Sequence, residues 1–108
     1  MSIASLFQKP DMQSGLEQFR HTDGAVLLDV RTPEEYAGGH IPGSRNLPLQ
    51  SIFDISDLVP NPQTPVFVYC QSGARSHRAA AFLEKSGYAA VTDLGGISAY
   101  HPDRKSVV

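Results

Sequence analysis

Cys70 is the one cysteine in the chain, and it stands where the apolar run Val66-Phe67-Val68-Tyr69 meets the polar loop Gln71-Ser72-Gly73-Ala74-Arg75-Ser76. A helical pattern follows. This order delivers a thiol to the edge of a sheet and then turns the chain into a helix N-terminus. Unpaired backbone N–H groups and the helix dipole favour negative charge there. The thiolate is the nucleophilic form of cysteine, and helix N-termini and nearby cations favour it. The placement therefore predicts a reactive thiolate, with Arg75 at the far end of the loop as the cation. The N–H groups of Gln71 to Ser76, closed into a ring by Gly73, form a predicted nest for the sulfur and for whatever is attached to it. Arg75 fits an anionic co-substrate, because a cation at a helix start needs an anion nearby.

Asp29 and Arg31 stand at the carboxyl end of another apolar run, the edge at which open α/β sheets place their sites. Their expected part is support: Asp29 fixes neighbouring loops through hydrogen bonds, and Arg31 pairs with Glu34 or Glu35. His40 reads as a turn residue, and His77, in the first turn after Arg75, as a neighbour of the site rather than its base. Tyr36, Phe53 and Tyr100 read as core or pocket-wall aromatics. Four histidines and one cysteine without ligand spacing predict no metal site, and no glycine-rich nucleotide loop is present. No cofactor is expected.

The elements that position these residues follow from periodicity. Asp11 to Arg20, with Met12, Leu16 and Phe19 on one face, predicts a short amphipathic helix ended by Thr22-Asp23-Gly24. Ala25 to Val30 is an apolar run of strand length, the pattern of a strand covered on both faces. Thr32-Pro33-Glu34-Glu35 supplies an N-cap, a proline and acidic residues for a helix running to about Ala37. Gly38-Gly39 and His40-Ile41-Pro42-Gly43 make a turn before an extended piece at Ser44 to Leu47. Leu49 to Leu58 holds one helical turn, and Pro60 to Pro65 is a loop. Val66 to Cys70 is the next strand, Ser76 to Ser86 a helix closed by Gly87, and Ala89 to Thr92 a further strand. Leu94-Gly95-Gly96-Ile97 reads as a loop into a last helical turn. Strands alternating with helices predict an α/β domain with a parallel sheet and right-handed crossovers.

The 108 residues fit a single domain over 1–108, with a polar tail at about 102–108. Nine basic and eleven acidic residues are scattered without a basic stripe, which argues against nucleic acid as partner. The N-terminal stretch lacks the pattern of a signal peptide and no segment is long enough to span a bilayer, so a soluble cytoplasmic protein without membrane partners is expected. A lone cysteine, unable to form an internal disulfide, agrees with a reducing compartment.

Four segments in register resemble the rhodanese-like sulfurtransferase family over roughly residues 3 to 101. They are Leu28-Asp29-Val30-Arg31 with Pro33-Glu34-Glu35-Tyr36, then Gly39-His40-Ile41-Pro42-Gly43-Ser44, then Val68 to Ser76, then Leu94-Gly95-Gly96-Ile97. Tyr100 stands where members often carry Trp. The resemblance implies a three-layer α/β/α sandwich on a five-stranded parallel sheet, with a persulfide carried on Cys70. The implied activity is transfer of sulfane sulfur from a small anionic donor, thiosulfate first, to an external acceptor. That acceptor is cyanide, a small thiol, or a thioredoxin-like or sulfur-carrier protein, since no second cysteine can resolve the persulfide internally. Two alternatives remain open. Cysteine phosphatases and arsenate reductases also bracket an anion loop with cysteine and arginine, although the phosphatase signature has one residue more than the four between Cys70 and Arg75. A non-catalytic sulfur-carrying or regulatory module is the other.

Overall fold

The computed structural model describes residues 7–101. Its strands are β1 (Val26–Asp29), β2 (Ser44–Asn46), β3 (Val66–Cys70) and β4 (Val91–Gly96). They pair in parallel in the order β2, β1, β3, β4. Successive side chains on a strand point to opposite faces, and here both faces are apolar. Leu28, Val30, Val66, Val68 and Cys70 pack on one side with Ala79, Ala80 and Leu83 of helix α4 (Ala74–Lys85). Ile55, from the one-turn α3 (Ile55–Leu58), joins them. Leu27, Phe67, Tyr69 and Leu94 pack on the other side with Met12 and Leu16 of α1 (Met12–Arg20). Double coverage explains why the strands read as continuous apolar runs.

The expected parallel sheet with flanking helices is present, but it has four strands among the described residues rather than five. Beyond β4 there is only an isolated parallel bridge, Gln8 to Thr92, with the Gln8 N–H donating to Val91 O at 3.1 Å and Gln8 O accepting from Asp93 N–H at 2.8 Å. Residues 1–6, and the tail expected at about 102–108, lie outside the described residues.

Two boundaries differ from expectation, and both differences build the site. The last strand continues through Leu94-Gly95-Gly96 because its register shifts beside Val68 and Tyr69, which sets Gly95 against Tyr69 and Gly96 against Cys70. Helix α4 begins at Ala74, two residues early, because Gly73 takes the N-cap in a left-handed conformation (φ 108°). The cap predicted for α2 (Pro33–Ala37) is present: Thr32 Oγ1 accepts the Glu35 N–H and the Glu35 carboxylate accepts the Thr32 N–H, a reciprocal capping box. The mixed stretch after Pro48 is a 3₁₀ segment, Leu49–Asp54, leading into α3. Phe53 within it is 75% exposed and so is not a core residue; it forms part of a cavity wall.

Candidate active site

β3 carries Cys70 to the carboxyl edge of the sheet, and the chain turns at once into α4. Gly73, at the N-cap, has no side chain to cap this helix. The sulfur does so instead: Cys70 Sγ accepts the N–H of Gly73 at 3.0 Å and of Ser76 at 3.3 Å. A polarisable sulfur thus receives two donors from the positive end of a 12-residue helix. Cys70 itself is closed off from solvent, while Gln71, Ser72 and Ala74 above it are exposed.

The cradle is fixed from three directions. Ser76 is buried, and its hydroxyl is within donating distance of Asp93 Oδ1 (2.7 Å) and of Gly73 O (3.1 Å). Asp93, a carboxylate only 2% exposed in β4, also accepts the Gly95 N–H at 3.0 Å. From the far side Gly96 abuts the loop so closely that a Cβ there would lie 2.5 Å from Gln71 O and 2.8 Å from Ser72 Cα. The third support comes from β1. Arg31 pairs with Asp29, Nη2 to Oδ2 at 2.7 Å, and its Nη1 donates to Gln71 Oε1 at 3.2 Å. Nη2 also donates to Gly39 O at 2.7 Å, and Asn46 donates to Asp29 O and Arg31 O. The Asp29 hydrogen bonds hold the Arg31 guanidinium protonated, raising its pKa further above the ordinary arginine value against the opposing effect of burial.

Arg31 therefore does not pair with Glu34 or Glu35. Asp29, the last residue of β1, accepts the Arg31 N–H at 2.8 Å in the turn that follows, and so stands within reach of the guanidinium. Glu35 pairs instead with Arg75, Oε1 to Nη1 at 2.7 Å and Oε2 to Nη2 at 3.1 Å, a fork that ties α2 to the first turn of α4. The Arg75 hydrogen bond, with the Thr32 N–H behind it, draws the Glu35 carboxyl down to about 2. The anion needed beside a cation at that helix start is thus supplied by the protein itself.

Tyr69, fully buried next to Cys70, accepts the Ile41 N–H at 3.1 Å and meets Ser44 Oγ at 3.0 Å, which anchors the His40-Ile41 turn. Burial pushes its phenol up to about 12, so it remains a neutral structural group. His40 stacks on Tyr36 with ring centroids 3.7 Å apart, as befits a turn residue. His77 lies half-exposed, Nδ1 3.9 Å from Asp93 Oδ2, with its ring edge on Phe7. Among the described residues no group of side chains is arranged to hold a metal, and no helix is long and apolar enough to cross a membrane.

The structure thus gathers Cys70, Gly73 and Ser76 directly around the sulfur and links Gln71 to the Asp29–Arg31 pair. Sequence reasoning missed Glu35 as the partner of Arg75, Asp93 as the anchor of Ser76, and the close approach of Gly96. For Asp93 the available signal was a carboxylate inside an apolar run.

A lone sulfur at the carboxyl edge of a parallel sheet, gripped by backbone N–H groups at a helix start, defines a cysteine-centred group-transfer protein of the α/β class. Comparison with known proteins narrows this. The profile of the Rhodanese-like domain family matches residues 12–103. A sulfurtransferase of Allochromatium vinosum is 40% identical over 91 residues, covering 83% of this chain and 84% of the relative. The thiosulfate sulfurtransferase GlpE of Pseudomonas putida is 36% identical over 95 residues, covering 85% and 82%. Among solved structures, a rhodanese with anions from E. coli superposes with a TM-score of 0.66 at 36% identity, covering 69% of this chain and 89% of that one. The chain belongs to the rhodanese-like domain family. With Cys70 in its loop, it is a sulfurtransferase that moves sulfane sulfur through a cysteine persulfide.

Proposed function

We propose that this protein is a single-domain cytoplasmic enzyme that takes the outer sulfur of thiosulfate onto Cys70 and passes it to an external thiol. The observation that carries the assignment of Cys70 is the convergence of the Gly73 and Ser76 N–H groups on its Sγ. In the first half-reaction the Cys70 thiolate attacks the outer sulfur of thiosulfate. A new S–S bond forms to Cys70, the donor S–S bond breaks, and sulfite leaves with the electron pair. In the second, an acceptor nucleophile attacks the outer sulfur of the persulfide and Cys70 leaves as thiolate. Cyanide yields thiocyanate, and a thiol, small or on a thioredoxin-like or sulfur-carrier protein, yields a persulfide. The sequence is ping-pong.

Residues Gln71 to Ser76 are the binding loop in this reading. Gly73 and Ser76 hold the reacting sulfur, and the exposed backbone of Gln71, Ser72 and Ala74 meets the donor. Arg75 offers the N–H groups that its fork with Glu35 leaves over, since a guanidinium carries five donors. Asp29 and Arg31 act indirectly by holding Gln71. Because Cys70 is covered, each half-reaction requires residues 71–75 to part, which favours slim donors and acceptors.

Intact mass after incubation with thiosulfate and desalting tests the proposal, with Cys70→Ser alongside. A gain of one sulfur atom in the wild type alone is expected. No gain, with the thiol free and reactive, would exclude thiosulfate as the donor.

A further inference from the structure

Beside the loop lies a cavity of about 530 Å³ that the chemistry above leaves unused. It opens between the carboxyl end of β1, the 3₁₀ segment Leu49–Asp54 and the first turns of α4. Its size suits a small organic molecule, for which sites run to roughly 300–1,000 Å³. The walls are apolar, with Leu49, Ile52, Phe53 and Phe82, and the charged lining consists of Arg75 and Arg78. Phe53 is 75% exposed, its ring edge resting on Phe82 with centroids 5.2 Å apart. That is apolar surface available for a ligand to cover.

The two cations differ. Arg75 is neutralised by Glu35, whereas Arg78, exposed one turn further along α4, makes no ion pair among the described residues. An anion bound at Arg78 gives that guanidinium the partner it lacks among the described residues. The cavity also reaches the loop that holds the reacting sulfur. Val30 in its wall shares one core with Cys70, and Arg75 belongs to both wall and loop.

We propose that this cavity is the acceptor subsite, and that it takes thiols bearing a carboxylate at the end of an apolar chain. This deepens the persulfide reading and rests on it. The carboxylate pairs with Arg78, the chain covers Phe53 and Phe82, and the thiol end enters past Arg75. The acceptor thiolate attacks the outer sulfur of the Cys70 persulfide, forming one S–S bond as the bond to Cys70 breaks. Cys70 leaves with the electron pair and the acceptor departs as a persulfide, with no net oxidation or reduction.

The test compares mercaptohexanoate, mercaptohexanol and mercaptopropionate as acceptors for the full chain at saturating thiosulfate, with cyanide as a control too small to span the cavity. Mercaptohexanoate is expected to exceed mercaptohexanol in kcat/KM by roughly tenfold, the scale of one charge-assisted hydrogen bond at a partly exposed site. Arg78→Ala should abolish that preference and leave cyanide turnover unchanged, while Arg78→Lys retains most of it. Phe53→Ser should erase the advantage of the longer acid over mercaptopropionate. Both positions are exposed, so these variants are expected to fold. A carboxylate preference that survives Arg78→Ala, or equal use of acid and alcohol by the wild type, would overturn the subsite while leaving sulfur transfer to cyanide intact. Failure of the wild type to form a Cys70 persulfide would overturn the reading beneath it.

Discussion

Replacing Gly96 with alanine adds a single methyl group on β4, yet it should cripple the chemistry on β3. The added Cβ would stand 2.5 Å from Gln71 O, 2.8 Å from Ser72 Cα and 2.9 Å from Ser72 C, against 3.4 Å or more for an ordinary contact. All three neighbours are backbone, so no rotamer change relieves the clash. Gly96 has φ −100°, which alanine adopts freely, so the effect is one of space and not of backbone strain. Restoring contact distance moves Gln71 and Ser72 by about 1 Å, and a misplacement of that size near reacting groups costs on the order of 10²-fold in rate. Overpacking of this kind costs roughly 1–3 kcal/mol of stability, within reach of a protein that still folds at 25 °C. The assay is kcat for thiosulfate and cyanide, with persulfide formation followed by mass and folding by urea denaturation. Gly38→Ala is the control: its Cβ would meet only Glu34 O at 3.5 Å and Glu35 O at 3.6 Å, so rate and stability should hold. A folded Gly96→Ala variant with wild-type kcat would refute the claim that β4 fixes the loop.

Glu35→Gln keeps the capping box but loses the ion pair to Arg75. The fall of the Glu35 carboxyl from 4.5 to about 2, at about 1.4 kcal/mol per pH unit, sets a ceiling of about 3 kcal/mol. Both side chains are one-third exposed, so solvent screening reduces this to about 1 kcal/mol. Because the folded value is depressed, that stability is present above pH 4.5 and lost as the pH falls towards 2. Denaturant midpoints should therefore separate wild type from Glu35→Gln at pH 7 and converge at low pH, and a gap independent of pH would refute the ion-pair account. Arg75→Ala should raise KM for thiosulfate by about tenfold with a smaller change in kcat, as steady-state kinetics would read directly. Asp93→Ala leaves the Gly95 N–H without its acceptor and Ser76 with Gly73 O alone, at a cost of roughly 1–3 kcal/mol. It should depress kcat more than KM, and unchanged kcat would remove Asp93 from the support of the cradle.

What was readable in the sequence was whatever depends on neighbours along the chain. A strand, a cysteine, a glycine and a helix in succession already imply a sulfur at a helix start, because capping is local. The α2 cap, spelled Thr32-Pro33-Glu34-Glu35, formed as expected. The link from Arg31 to Asp29 was local too, since an aspartate side chain readily bonds the backbone two residues on, yet Glu34 and Glu35 made a competing pattern. The Glu35–Arg75 fork joins residues 40 apart and exists only once α2 and α4 meet across the sheet edge. The true length of β4 was hidden because glycines weaken a strand pattern. Here Gly95 and Gly96 lie in the strand just past the register shift, where the neighbouring loop leaves no room for a side chain at Gly96.

The charges around Cys70 are largely settled among themselves. Asp29 answers Arg31 and Glu35 answers Arg75, while Asp93 is satisfied by Ser76 and a backbone N–H. The hydrogen bonds recorded at the sulfur come from backbone N–H groups rather than from a side-chain cation. A salt bridge would stabilise the thiolate and would be lost when the charge left it. Backbone dipoles serve any sulfur in that position, thiolate or persulfide alike. A ping-pong carrier must hold both forms in turn, and a cradle of N–H groups suits both. In the proposed subsite substrate selection falls to the rim, where Arg75 and Arg78 line the cavity wall.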